Sequence, residues 1–169
     1  FNRSFTATAK EVVAAALYRE MGFIKVLNKR LEKRVDEVLE LVGMEDCRDR
    51  QIGNLSGGQQ QKVFIARTLV KEPELIFLDE PLVGIDLSSQ EEFINLLNRL
   101  NQDLNITIIM VAHELQLIRE AQKIAYFNGG GVLLYNQQDF AAAGYLNKDM
   151  LKAGRKPEVE YSSGGDYDA

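Results

Sequence analysis

The sequence is poor in the residue types that cross-link small folds. Its 169 residues include one cysteine, one histidine and no tryptophan. A single cysteine excludes an internal disulfide, and one cysteine with one histidine leaves too few ligands for a structural zinc site. Both absences suit a reducing cytosol. A chain of this length buries about two-thirds of its unfolded surface, so the fold needs no such cross-link.

Long apolar runs and an excess of positive charge are also missing. The apolar stretch at residues 106–112, interrupted only by Thr107, is only long enough for a strand, whereas a membrane-spanning helix needs about 20 apolar residues. The first residues lack the basic flank and apolar stretch of a signal peptide. The net charge of −5 argues against nucleic-acid binding. The sequence therefore predicts a cytosolic protein without a membrane span.

Helical periodicity dominates the first fifty residues. Residues 9–18 are rich in alanine and predict a short helix, with Thr8 as its N-cap. A longer amphipathic helix is predicted at 31–42, where apolar residues recur at helical spacing and Gly43 ends the pattern. We expect this part of the chain to be mostly helical.

Strands and helices alternate after Gly58. Four segments carry this pattern, namely helices at 60–70 and 91–100 and strands at 75–78 and 106–111. Ser88 or Ser89 is expected to cap the second of these helices. Both strands are short and continuously apolar, as is typical of strands buried on both faces. The alternation predicts an α/β fold with a mostly parallel sheet.

A hairpin pattern follows further along the chain. Residues 123–127 and 132–135 flank an Asn-Gly-Gly-Gly sequence whose glycines can adopt positive φ angles. Another short helix is predicted at 115–121. From Pro157 onwards no periodicity is left, which predicts a disordered tail.

The first pattern that could bind a ligand is a glycine-rich turn before a predicted helix. It consists of Leu55, Ser56, Gly57, Gly58 and Gln59. Glycines let the backbone approach a ligand closely, and the amides at the start of a helix favour an anion. Ser56 adds a hydroxyl donor. Taken alone, this pattern is more often only a tight helix cap.

Two carboxylates, Asp79 and Glu80, stand where an apolar strand ends. The carboxyl edge of a parallel sheet is where such sheets bind ligands. Asp79 would hold Mg²⁺ through water, and Glu80 would take a proton from an attacking water. His113, the single histidine, follows the next predicted strand and is expected at the same edge. An isolated acidic pair is more often a polar loop, and a lone histidine is more often structural.

Together and in this order, the motifs resemble those of the ATP-binding cassette (ABC) ATPases. The matches are residues 55–59 with the signature motif, 75–79 with the Walker B strand, Glu80 with the catalytic glutamate, 83–86 with the D-loop and His113 with the switch histidine. The resemblance implies an α/β fold with a P-loop NTPase-like, mostly parallel sheet, here incomplete. It places a helical ABC α-subdomain at 1–54 and the C-terminal part of the ATPase core at 55–156, before the tail at 157–169.

The resemblance also implies sites that two subunits share. In this family two ATPase subunits stack head to tail, with ATP between the P-loop of one and the signature motif of the other. The implied roles are γ-phosphate contacts for Ser56, Gly58 and His113, Mg²⁺ binding for Asp79, activation of water for Glu80 and a link between the two sites for Asp86. Further implied partners are integral-membrane permease subunits and, indirectly, a substrate-binding protein, at the cytoplasmic face of the membrane.

Part of the family pattern is missing. The chain has no Gly-x-x-x-x-Gly-Lys-[Ser/Thr] sequence, so the P-loop and the Q-loop glutamine would lie before Phe1. We therefore expect the chain to correspond to the last two-thirds of such a domain, and to neither bind nor hydrolyse ATP by itself. If a P-loop strand belongs in the middle of the sheet, an exposed strand edge and apolar face are expected.

Two segments favour one branch of the family. Residues 1–13 resemble the stretch that follows the Q-loop in zinc- and manganese-uptake ATPases, and 83–86 is similar to the same branch. This predicts import of zinc or manganese ions. A non-transport ABC ATPase is an alternative, although the acidic chain lacks the sustained heptads expected there. A non-catalytic fragment that only binds a partner is the other alternative.

Overall fold

The computed structural model describes residues 6–22, 26–112, 121–127 and 131–142. The chain divides into two compact units, Phe1–His113 and Glu114–Ala169, and each is described separately. Apart from its last residue, the helix predicted at 115–121 lies outside the described residues, as does the predicted tail. No helix within the described ranges combines the length and the apolar character needed to cross a bilayer.

Three packed helices open the first unit. They are α1 (Ala9–Ala14), which a 3₁₀ turn extends to Leu17, α2 (Lys29–Leu41) and α3 (Gly57–Leu69). Thr8 caps α1 through a reciprocal capping box with Glu11, and this confirms the predicted cap. The three helices contact one another and share a core that includes Val13, Leu17, Val35, Leu39 and Val63, all fully buried. Helix α3 packs in this group although it lies after residue 54. The boundary between the helical subdomain and the ATPase core after residue 54 stays a prediction.

Arg34 on α2 connects the ends of the other helical segments. Its guanidinium donates to the carboxylate of Glu20 at 2.6 Å and to the carbonyl oxygen of Val70 at 2.6 Å. Val70 is the C-cap of α3, so the positive charge also lies at the negative end of that helix dipole. Only 21% of the Arg34 side chain is exposed.

Removing these contacts is expected to destabilise the helical group. Arg34→Met should lower the free energy of unfolding by about 2 kcal/mol, because the partly buried carbonyl of Val70 loses a charged donor and the exposed carboxylate of Glu20 loses its ion pair. Lys33→Met is the matched control, since Lys33 is 78% exposed and only pairs with Glu37 one turn away; its effect should stay below about 0.5 kcal/mol. Urea denaturation followed by circular dichroism measures both values. Equal effects of the two substitutions would contradict the connecting role of Arg34.

A β-α-β segment follows the helices. It consists of β1 (Leu75–Asp79), α4 (Leu87–Leu104) and β2 (Thr107–Val111). The two strands pair in parallel, with Leu75 opposite Thr107 and Asp79 opposite Val111. These strands, the intervening helix and the parallel pairing confirm the predictions for this region.

The prediction that both strands are buried on both faces is wrong. On one face Ile76 is 2% exposed. Four apolar side chains at the alternate positions are open to solvent, namely Leu75 (49%), Phe77 (66%), Ile109 (42%) and Val111 (44%). Phe77 and Ile109 are direct partners across the ladder. Two paired strands leave free edges, and the described residues of this unit place no element over the second face; the expected exposed apolar face is therefore present.

The second unit contains the predicted hairpin. Strands β3 (Lys123–Phe127) and β4 (Val132–Asn136) pair antiparallel, and α5 (Gln137–Ala142) follows directly. Phe140 on α5 is buried against the hairpin, with its ring 5.4 Å from that of Tyr135 and 6.2 Å from that of Tyr126. Residues 128–130 of the predicted turn lie outside the described residues.

Candidate nucleotide-binding site

The glycine-rich turn forms the start of α3. The Oγ of Ser56 accepts a hydrogen bond from the amide of Gln59 at 3.2 Å, and the side chain of Gln59 accepts one from the amide of Ser56 at 3.0 Å. This reciprocal capping box begins the helix at Gly57, three residues before the predicted start. Leu55 is buried and anchors the turn, while Ser56 remains exposed.

The first two amides of α3 are candidate donors to an anion. Within the described ranges, no hydrogen-bond acceptor lies on the amide of Gly57 or Gly58. They stand at the positive end of a helix of 13 residues, where a phosphate is favoured. Lys62 lines the adjacent cleft of about 240 Å³, but its ammonium is paired with Glu92 at 2.7 Å. The geometry therefore offers backbone donors and the Ser56 hydroxyl to an anion.

The structure brings this turn against the predicted D-loop segment of the same chain. A Cβ atom at Gly57 would lie 3.6 Å from the carbonyl oxygen of Gly84 and 3.7 Å from the side chain of Ile85. Gly84 has a φ of +77°, in the region that favours glycine. The two motifs are thus neighbours within one subunit.

Asp86 caps α4, which corrects the prediction of Ser88 or Ser89 as its cap. One carboxylate oxygen of Asp86 accepts from the hydroxyl of Ser88 at 2.6 Å and from the amide of Ser89 at 3.0 Å. The hydrogen bond from the Ser88 hydroxyl, followed by that from the Ser89 amide, holds the pKa of the Asp86 carboxyl well below its usual range. The link that Asp86 was expected to make between two sites stays a prediction.

The ionised cap makes stability depend on pH. Because folding lowers the pKa of Asp86, its contribution is fully present above the ordinary aspartate pKa and is lost as the pH falls through the lower folded value. Asp86→Asn keeps the cap geometry but removes the charge. We expect this variant to unfold at a lower temperature than the parent at neutral pH, with the gap narrowing below about pH 4.

Thermal unfolding across a pH series measures this gap. Glu91→Gln is the control, because Glu91 is an exposed carboxylate of α4 outside the cap. Its difference from the parent should not follow the same pH trend. A difference in unfolding temperature between Asp86→Asn and the parent that stays constant as the pH falls would contradict the charged cap.

Asp79 and Glu80 lie at the carboxyl end of the parallel pair. Asp79 ends β1 opposite Val111, and the amide of Glu80 donates to the carbonyl oxygen of Val111 at 3.0 Å. Glu80 has a φ of +44°, a left-handed conformation that costs a non-glycine residue about 1 kcal/mol. Both residues are exposed. The predicted position of the carboxylates at the sheet edge is observed, and His113 lies outside the described residues.

The donor set at this edge suits a magnesium ion that is shared with a nucleotide. In the described part of the chain, no group of three or more histidine, cysteine, aspartate or glutamate side chains could hold a metal. Mg²⁺ commonly takes one or two carboxylates and completes its shell with water and phosphate oxygens. Asp79 provides such an oxygen donor, so the residues present fit this mode of binding and not an all-protein cage.

Comparison with known proteins places these motifs in a family. Residues 3–83 match the family described as ABC transporter. The chain belongs to this family. The matched part of this ABC protein contains residues 55–59, Asp79 and Glu80, whereas Asp86 and His113 lie beyond it.

Curated relatives of this ABC protein include subunits of zinc uptake, manganese transport and methionine import systems. It is 48% identical over 118 residues to the zinc uptake system ATP-binding protein ZurA of Listeria monocytogenes, covering 70% of this chain and 46% of that protein. It is 42% identical over 134 residues to the manganese transport system ATP-binding protein MntB of Halalkalibacterium halodurans, covering 79% of this chain and 50% of that protein. The chain thus spans about half the length of these relatives.

A solved structure supports the predicted fold class. The chain aligns with cbiO1 from Clostridium perfringens, part of the ABC transporter complex cbiONQ, with a TM-score of 0.70 and 28% identity. The alignment covers 88% of this chain and 61% of cbiO1. The predicted α/β fold of the P-loop NTPase type is confirmed.

Proposed function

We propose that this chain carries the signature turn and the catalytic carboxylates of an ATP-hydrolysing ABC subunit that drives import of zinc or manganese ions. The observation that carries the proposal is that one ABC chain holds two helix-start amides, of Gly57 and Gly58, with no acceptor among the described residues, and also the carboxylates of Asp79 and Glu80 at a parallel strand end. The printed functions of the zinc and manganese relatives support the choice of cargo.

In the proposed reaction each residue has a separate task. Ser56 and the amides of Gly57 and Gly58 bind the γ-phosphate of an ATP that a P-loop holds. Asp79 helps to hold Mg²⁺, which when bound neutralises phosphate charge. Glu80 accepts a proton from the attacking water at its carboxylate. His113 is assigned a further γ-phosphate contact.

The proposed assembly is a head-to-tail dimer. The signature turn of one subunit completes the nucleotide site of the other, and Asp86 lies where the two sites are linked. Permease subunits bind the pair at the cytoplasmic face of the membrane, with the helices of residues 1–54 as the contact region, and a substrate-binding protein delivers the ion. The description of cbiO1 as part of a transporter complex supports such an assembly.

A fusion protein tests the proposal directly. The full 169-residue chain is fused to the C-terminal end of the residues of the Listeria monocytogenes relative that precede the matched segment. We call this fusion the hybrid ATPase. We expect the purified hybrid ATPase to hydrolyse ATP and to restore zinc uptake in Listeria monocytogenes that lacks the relative. A folded hybrid without ATP hydrolysis would contradict the enzymatic proposal. Hydrolysis without restored zinc uptake would contradict zinc as the cargo and leave the enzymatic proposal intact.

A further inference from the structure

The first turns of α3 and α4 approach each other closely at one point. Gly58 is buried, and a Cβ atom at this position would lie 2.7 Å from the Cβ and 3.0 Å from the Oγ of Ser89. Real Cβ atoms essentially never come so close to another atom, so any side chain at position 58 has to displace Ser89. At Gly57, by contrast, an added Cβ makes only ordinary contacts. Packing therefore requires glycine at position 58 and not at position 57.

Ser89 is itself held in place by its own segment. Its amide donates to the capping carboxylate of Asp86 at 3.0 Å. The side chain of Gln90, the next residue, donates to the carbonyl oxygens of Ile85 at 3.0 Å and of Leu82 at 3.4 Å. These bonds fix the start of α4 to the turn that follows Glu80. The close approach of Ser89 to Gly58 joins this fixed segment to α3.

We infer that Ser89 is a positioning residue for the signature turn. Through its contact with Gly58 it sets the direction in which the amides of Gly57 and Gly58 point, relative to the turn after Glu80. The inference rests on the proposed function. It assigns the lack of a side chain at position 58 to the approach of Ser89 and not to the approach of a phosphate. In a head-to-tail dimer this contact sets the spacing, within one chain, between parts of two nucleotide sites.

A pair of substitutions tests whether position 58 lacks a side chain because of Ser89 or because of a phosphate. Gly58→Ala in the hybrid ATPase is expected to lower kcat by about 10- to 100-fold, because a displacement of this size misaligns the donors. The affinity for ATP should not change, since the P-loop holds the nucleotide. Adding Ser89→Gly removes both atoms that the new methyl group meets, and should return kcat to within about threefold of the parent.

Two further variants control for side effects. Gln102→Gly, at an exposed position of α4, introduces the same helix-weakening residue away from the contact, and should not rescue Gly58→Ala. Ser89→Val adds bulk from the other side and leaves Gly58 intact, so it should lower kcat without changing ATP affinity. Thermal unfolding identifies variants that do not fold.

The outcomes distinguish this inference from the proposed function. A parent hybrid that is folded but does not hydrolyse ATP overturns both. With an active parent, a double variant Gly58→Ala/Ser89→Gly that stays as slow as Gly58→Ala overturns the inference alone, because glycine is then needed for the phosphate. If Gly58→Ala does not fold, Ser89→Val decides, and unchanged turnover in that variant overturns the inference.

Discussion

Glu80→Gln in the hybrid ATPase is expected to lower ATP turnover by about 10²- to 10⁴-fold, the range that general-base catalysis contributes. Glutamine has nearly the same shape and keeps the backbone bond from residue 80 to Val111, but it cannot accept a proton from water. ATP should still bind, because the P-loop and the signature turn are unchanged. The bound dimer should therefore persist in the presence of ATP.

Three measurements check this result. Steady-state hydrolysis gives kcat, equilibrium binding gives the affinity for ATP, and size-exclusion chromatography with ATP gives the fraction of dimer. Glu74→Gln is the control, because Glu74 is an exposed carboxylate just before the opposite end of β1 and should leave turnover unchanged. Normal turnover in Glu80→Gln would exclude Glu80 as the base.

Ser56→Arg should abolish turnover by filling the anion site with a long side chain, with a loss of about 100-fold or more. The substitution also removes the N-cap of α3, which should lower the free energy of unfolding by about 1 kcal/mol. Thr8→Arg is the matched control, since Thr8 forms the same reciprocal capping box on α1 away from the glycine-rich turn. It should cost similar stability and leave turnover near that of the parent.

Mixing the two inactive variants tests whether the sites are shared. In a head-to-tail dimer, a Glu80→Gln subunit paired with a Ser56→Arg subunit contains one site with both native residues. Random pairing of equal amounts should then restore about a quarter of the parental turnover, if the two sites work independently. Sites built within single subunits would give no recovery on mixing, and that result would contradict the shared-site proposal.

The helix starts show where the sequence pattern was sufficient and where it was not. The alanine-rich composition of α1 and the apolar periodicity of α2 predicted these two helices, because both signals extend to the first turns. It placed α3 and α4 too late, since their first turns hold glycine and serine and no regular apolar spacing. A signal was present for α3, because serine followed three residues later by glutamine is a capping-box pattern. Asp86 is likewise a residue type that favours N-caps.

Other features follow from tertiary structure and have no local signal. The continuous apolar run of β1 predicted a strand, but it cannot show how many neighbours cover that strand. Exposure of Phe77 depends on what packs on the second face of the sheet. The position of Asp79 and Glu80 at the strand end was predictable from the order of residues. The left-handed backbone of Glu80 was not, since glutamate rarely adopts it, and the bond to Val111 accompanies it.

The left-handed backbone conformation at Glu80 affects which substitutions this position tolerates. Glycine would adopt a φ of +44° without strain, so Glu80→Gly should relieve about 1 kcal/mol of backbone strain while removing the proposed base. Selection for stability alone would favour replacement of this glutamate, whereas selection for the proposed turnover would favour keeping it. Relatives that do not need a base at this position are therefore expected to tolerate glycine there.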